Sequence, residues 1–126
     1  MVERRRHARI LISTDCSFYV MGDQDGGIEF HGKIENISEE GLCIRVDSDI
    51  PKEYVLEHIE PDLTIHFQAF EEINLNNQDV SDFFEGDATI LRVTEVGDEF
   101  SIGCHVTSKT MSFDEFVRHK IIERFF

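Results

Sequence analysis

Apolar residues recur with a period of two along most of this chain, the spacing that turns one face of a β-strand toward a core. Ile10 and Ile12, then Cys16, Phe18 and Val20, share one parity. Arg9 has the opposite parity and is expected to point away from that apolar face. Residues 21–27 are rich in glycine and aspartate and read as a turn. A second strand carries Ile28, Phe30 and Ile34 on one parity, and at Asn36 the pattern slips, because the next apolar residue is Ile37. Such a slip marks a bulge or the end of regular pairing. Asn36-Ile37-Ser38-Glu39-Glu40-Gly41 then reads as a turn, with Gly41 supplying a positive φ and Asn36 and Ser38 bonding nearby backbone groups. In the third strand Leu42, Ile44 and Val46 point inward, and Cys43, Arg45 and Asp47 outward.

Pro51 and Pro61 bracket a stretch in which Tyr54, Val55, His58 and Ile59 fit one face of a short helix. Leu63, Ile65, Phe67 and Ala69 alternate with polar residues as a fourth strand. Residues 71–85 hold several carboxylates and asparagines and no lysine or arginine, and read as an acidic connecting loop or partner surface. A fifth strand over 88–96, a turn at Gly97-Asp98-Glu99 and a sixth strand with Phe100, Ile102, Cys104 and Val106 come next. Ser112-Phe113-Asp114-Glu115 has the form of a capping box, with Ser112 as N-cap of a helix over 112–126. Phe113, Phe116, Val117, Ile121, Ile122, Phe125 and Phe126 make that helix apolar over a wide arc. Part of the arc should seal a barrel end, and Phe125 and Phe126 are left for core packing or docking. The pattern predicts a mainly β, single domain over 1–126. A flexible arm (1–9) precedes a closed or nearly closed six-stranded antiparallel barrel (10–108), with a short helix between strands and a C-terminal helix.

Composition agrees with a folded domain: 126 residues, 40% apolar, with eleven Phe. The formal net charge of -14 argues against a general DNA- or RNA-binding surface, which needs broad positive potential. Against that background the arm is unusual, because Arg4, Arg5, Arg6 and Arg9 are four of only 12 basic residues. Guanidinium stays charged, offers a planar fork of donors and stacks on aromatic faces, which suits phosphates and purines. The three cysteines are widely spaced and do not form a disulfide framework. The histidines lack metal-ligand spacing, and no nucleophile elbow, P-loop or dinucleotide fingerprint is present, so neither a metal site nor a catalytic residue is expected. No apolar run approaches the roughly 20 residues of a membrane span. Ile10-Leu11-Ile12 is too short for a signal-peptide core, so a cytoplasmic location is expected.

Two motifs acquire meaning together. Arg5-x-x-x-Arg9, followed by Asn36-x-Ser38-x-x-Gly41, resembles the signature of the PilZ domain family, bacterial receptors for the second messenger cyclic di-GMP. The flanking Glu3-Arg4-Arg5-Arg6-His7-Ala8-Arg9 is like the start of that family, and Ile102-Gly103-Cys104-His105-Val106 is like its last barrel strand. The similarity covers about residues 3–108 and departs from the compact form between Lys52 and Glu85. It implies that Arg5 and Arg9 grip phosphate and guanine while Asn36, Ser38 and Gly41 form the opposing wall. Guanine presents O6 and N7 acceptors that a guanidinium meets with two parallel bonds. An arginine at the position of Arg4 implies two stacked messenger molecules per chain. Ligand binding would order the arm and signal to a protein partner that the sequence does not identify, with no cofactor. The alternative is a PilZ-like adaptor that binds protein and no nucleotide.

Overall fold

The computed structural model describes residues 10–22, 28–75 and 78–125, the side chains of 71–82 and 123–125 excepted. The period-two pattern becomes six strands: β1 (Ile10–Val20), β2 (Glu29–Ile37), β3 (Gly41–Val46), β4 (Thr64–Leu75), β5 (Gln78–Val96) and β6 (Glu99–Lys109). Helix α1 (Lys52–His58) lies between β3 and β4, and α2 (Met111–Phe125) comes after β6. Every neighbouring pair is antiparallel, and the order β1-β2-β3-β6-β5-β4 closes on itself because β4 also pairs with β1. Closure leaves no free sheet edge around the ring.

The parity read from the sequence is the parity of burial. Phe18, Phe30, Ile34, Ile44, Ile65, Phe67, Ile90 and Ile102 fill the interior, and Phe18 stacks on Phe30 with ring centroids 5.4 Å apart. Helix α2 covers one opening through Phe113, Phe116 and Val117, all buried. Phe113 meets Phe67 and Phe84 edge-on at 5.9 and 5.8 Å, and Phe116 stacks on Phe84 at 4.2 Å. Aromatic edge and offset contacts of this kind add to the area they bury. Burial also pushes the thiols of Cys16 and Cys104 up to about 12, and the three cysteines are free, so the buried pair stays protonated at neutral pH.

Three expectations need correction. Residues 71–85 do not form a loop: β4 and β5 continue pairing from Phe70↔Phe83 out to Leu75↔Gln78, as a long hairpin beyond the ring. Its alternation is hidden by carboxylates in the sequence, although Ile73 directly opposes Val80. The N-cap of α2 is Thr110, not Ser112. Phe113 N–H donates to the Thr110 carbonyl (3.1 Å) and to Thr110 Oγ1 (3.4 Å), while Thr110 Oγ1 donates to the Glu85 carbonyl (3.0 Å). The cap is thus tied to β5, a tertiary bond that the local motif does not contain. Gly41 is not among the described glycines with positive φ, which are Gly22 and Gly97. What favours glycine there is a close approach, since a Cβ would lie 3.1 Å from the Cys104 carbonyl oxygen.

The parity slip at Asn36 is a bulge, as expected. The β2–β3 register shifts between Ile34 and Asn36, and the β1–β2 register shifts between Leu11 and Thr14, both around Glu35. A third shift separates Ile90 from Arg92 in β5. Nearby, Gly32 passes so close to β3 that a Cβ would sit 2.3 Å from the Arg45 carbonyl oxygen. Bulges and such a glycine bend strands, as a small closed ring requires.

Candidate functional site

The bulge at Glu35 resets the parity of β2 and so decides which way Asn36 points. Ile34 and Ile37 are fully buried, and between them Glu35 and Asn36 both face the outside. Asn36 lies directly between Leu11 of β1 and Cys43 of β3. Its side-chain Oδ1 is shielded from solvent and has no hydrogen-bond partner. An orphan acceptor of this kind costs about 1–3 kcal/mol, and a ligand that donates to it recovers that cost.

Ser38 stands next in the turn to β3. Its N–H donates to the Gly41 carbonyl (2.8 Å), and Gly41 N–H donates to Ser38 Oγ (3.1 Å). The hydroxyl donates weakly to the same carbonyl at 3.4 Å. The loosely held hydroxyl hydrogen and one spare lone pair remain for a ligand. Ser38 therefore bonds the backbone of the turn, as the sequence suggested, and shapes any site built on it. Strand β6 pins the turn from the far side: Val106 N–H donates to the Glu40 carbonyl (2.8 Å) and Lys109 Nζ to the Glu39 carbonyl (3.1 Å).

The chain joins the barrel at this same end. Ile10, the first residue of β1, pairs with Ile37, and Leu11 pairs with Asn36. Arg4, Arg5, Arg6 and Arg9 lie outside the described residues, but their point of attachment is beside Asn36 and the turn. Across the ring the row continues: Cys43 opposes Gly103, and Gly103 opposes Arg92. The sequence does not single out Arg92, because a strict alternation from Ile90 would direct it into the core.

A groove of about 820 Å³ lies along the outside of β1–β3, lined by Leu11, Ser13, Lys33, Asn36, Arg45 and Asp47 among others. It includes Asn36 but neither Ser38 nor Gly41. Glu35, Asp49 and Glu99 also line it. Arg45 Nε lies 2.6 Å from Glu35 Oε1 and 3.9 Å from Glu99 Oε2, and Lys33 pairs with Asp15 at 3.3 Å. Arg45 and Lys33 are thus already engaged, and the free carboxylates repel an anion. The row from Asn36 through Cys43 and Gly103 to Arg92 carries a guanidinium and no carboxylate, unlike the groove interior. Among the described residues no group of His, Cys, Asp and Glu side chains could hold a metal ion, and no helix is long and apolar enough to cross a membrane.

A family model described as PilZ domain matches residues 3–123. Among curated proteins none matches. Solved structures share the fold. The Inhibitor of motility (MotI/DgrA) of Bacillus subtilis superposes with a TM-score of 0.69 at 11% identity, over 98% of this chain and 52% of that one. The PilZ domain with c-di-GMP of YcgR from Escherichia coli gives 0.62 at 15% identity, over 97% and 91%. The K. pneumonia MrkH-c-di-GMP complex gives 0.55 at 16%, over 98% and 55%. This chain therefore spans about half the length of the Bacillus and K. pneumonia proteins.

Proposed function

The chain belongs to the PilZ domain family, and from that premise we propose that it is a bacterial, cytoplasmic receptor for cyclic di-GMP and not an enzyme. Arg5 and Arg9 of the arm would grip phosphate and guanine from one side, with Asn36, Ser38 and the Gly41 turn opposing them on the barrel. The observation that carries this reading is the convergence at one end of the barrel. The start of β1, the orphaned Asn36 Oδ1 and the Ser38–Gly41 turn are neighbours there. Two of the structures with this fold were determined with c-di-GMP, which adds support. The arm closing over bound ligand would be the change read by a protein partner. Calorimetric titration of the purified chain with cyclic di-GMP, beside single-stranded DNA, tests the assignment. Heat with the dinucleotide alone supports it, and no binding to either leaves a protein-binding adaptor in its place.

Ser38→Ala should have a double effect. Removing the acceptor of Gly41 N–H costs about 1 kcal/mol of stability, and loss of the ligand contact weakens binding roughly two- to tenfold. Chemical denaturation and titration of the same variant separate the two. A variant of unchanged stability would show that the turn does not need the hydroxyl.

We further propose two cyclic di-GMP molecules per chain. Two stacked molecules bring four phosphates together and need more positive charge, which Arg4 and Arg6 add to Arg5 and Arg9. Titration well above the dissociation constant should break at two equivalents, and at one equivalent for Arg4→Leu. A break at one for the wild type rejects the two-molecule stoichiometry.

A further inference from the structure

We infer that Arg92 is a further ligand contact, taking one guanine of cyclic di-GMP at the far side of the surface from Asn36; this rests on the receptor reading above. Asn36, Cys43, Gly103 and Arg92 are directly opposed on the consecutive neighbours β2, β3, β6 and β5. Opposed residues of antiparallel strands put their side chains on one face. That face is the outer one, because the adjacent row of Ile37, Leu42, Cys104 and Ile90 is buried. The register shift after Ile90 is what brings Arg92 onto it, where regular alternation would have turned it inward.

Glycine at 103 then decides where the guanidinium goes. A Cβ on Gly103 would lie 3.1 Å from Arg92 Nε, 3.3 Å from its Cγ and 3.7 Å from its Cζ. The Arg92 side chain therefore runs across β6 over the glycine instead of standing out into solvent. Among the described residues no carboxylate lies within ion-pair distance of Arg92, whereas Lys33, Arg45, Lys52 and Lys109 each have one. An arginine laid along the surface and left unpaired, in a chain of net charge -14, is held ready for an external acceptor. Asn36 and Arg92 are three strand spacings apart, about 14 Å. Arg92 itself fills the space over Gly103, so the floor left between Asn36 and the guanidinium is Cys43. Guanidinium recognises guanine by laying its plane on the base face or by a rigid fork to O6 and N7, whereas an ammonium is a compact point charge with neither a plane nor a fixed fork.

The test is titration of the full-length chain with cyclic di-GMP for the wild type, Arg92→Ala and Arg92→Lys, with a melt of each variant without ligand. Arg92→Ala should bind about tenfold more weakly than wild type. Arg92→Lys should recover only a minor part of that loss, and all three should melt together, since Arg92 is exposed. Wild-type affinity in Arg92→Ala overturns the contact and leaves the receptor reading standing. Full recovery in Arg92→Lys overturns the base contact in favour of simple charge attraction. Failure of the wild type to bind removes the receptor reading and this inference with it.

Discussion

Arg9→Ala should weaken cyclic di-GMP binding by roughly 30- to 1000-fold, the consequence of losing one charge-assisted, bidentate contact of about 2–4 kcal/mol. The effect is expected to be large because of where Arg9 stands in the chain. The next residue, Ile10, is buried and paired with Ile37, so the backbone at that junction is already fixed against the end of β2. A side chain carried there loses less freedom on binding than one further out along the arm. Arg5, one RxxxR spacing away, is further from that junction and should show a smaller loss when replaced. Calorimetric titration reads both losses, and Arg9→Ala binding as tightly as wild type would sink the assignment of the arm.

Gly32→Ala should destabilise the fold by about 2–4 kcal/mol, which for a domain of this size lowers the melting temperature by roughly 10 °C. Gly32 is buried within β2 and pairs with Cys16 on one side and Val46 on the other. The atom a new Cβ would strike at 2.3 Å is the backbone oxygen of Arg45, not the end of a flexible side chain. Relief requires β2 and β3 to separate, and both are held by further neighbours around the ring. Asn36 lies further along the same strand, so ligand affinity should fall together with stability. Urea denaturation measures the loss, and a cost below about 0.5 kcal/mol would show that the two strands can part freely.

The ring was legible because each of its strands keeps one buried parity over most of its length, from Phe18 in β1 to Val106 in β6. Antiparallel pairing was implied by the short turns, and the slip between Ile34 and Ile37 announced its bulge. The β4–β5 extension was not legible, because a ribbon that leaves the core has no need of an apolar face. The Ser38–Gly41 turn was read in the right place for the wrong reason: its glycine answers to the Cys104 carbonyl, a residue distant in sequence. Arg92 was missed for a related cause. Its direction depends on pairing between β5 and β6, and a single shift of register reverses an assignment made from parity.

The strand order has a consequence for how the candidate site comes into being. Consecutive strands form two local meanders, β1-β2-β3 and β4-β5-β6, and the ring exists only where these are sewn together, at β3–β6 and at β1–β4. Both seams join segments far apart in sequence, so they carry the largest loop-closure entropy and should form last. Asn36 and Cys43 belong to the first half, Gly103 and Arg92 to the second, and the β3–β6 seam runs between Cys43 and Gly103. The proposed recognition surface is therefore absent from either half alone. A nucleotide lying across it would act as a clasp on that seam, favouring the closed ring over any state in which the halves part by an amount set by its concentration relative to its dissociation constant.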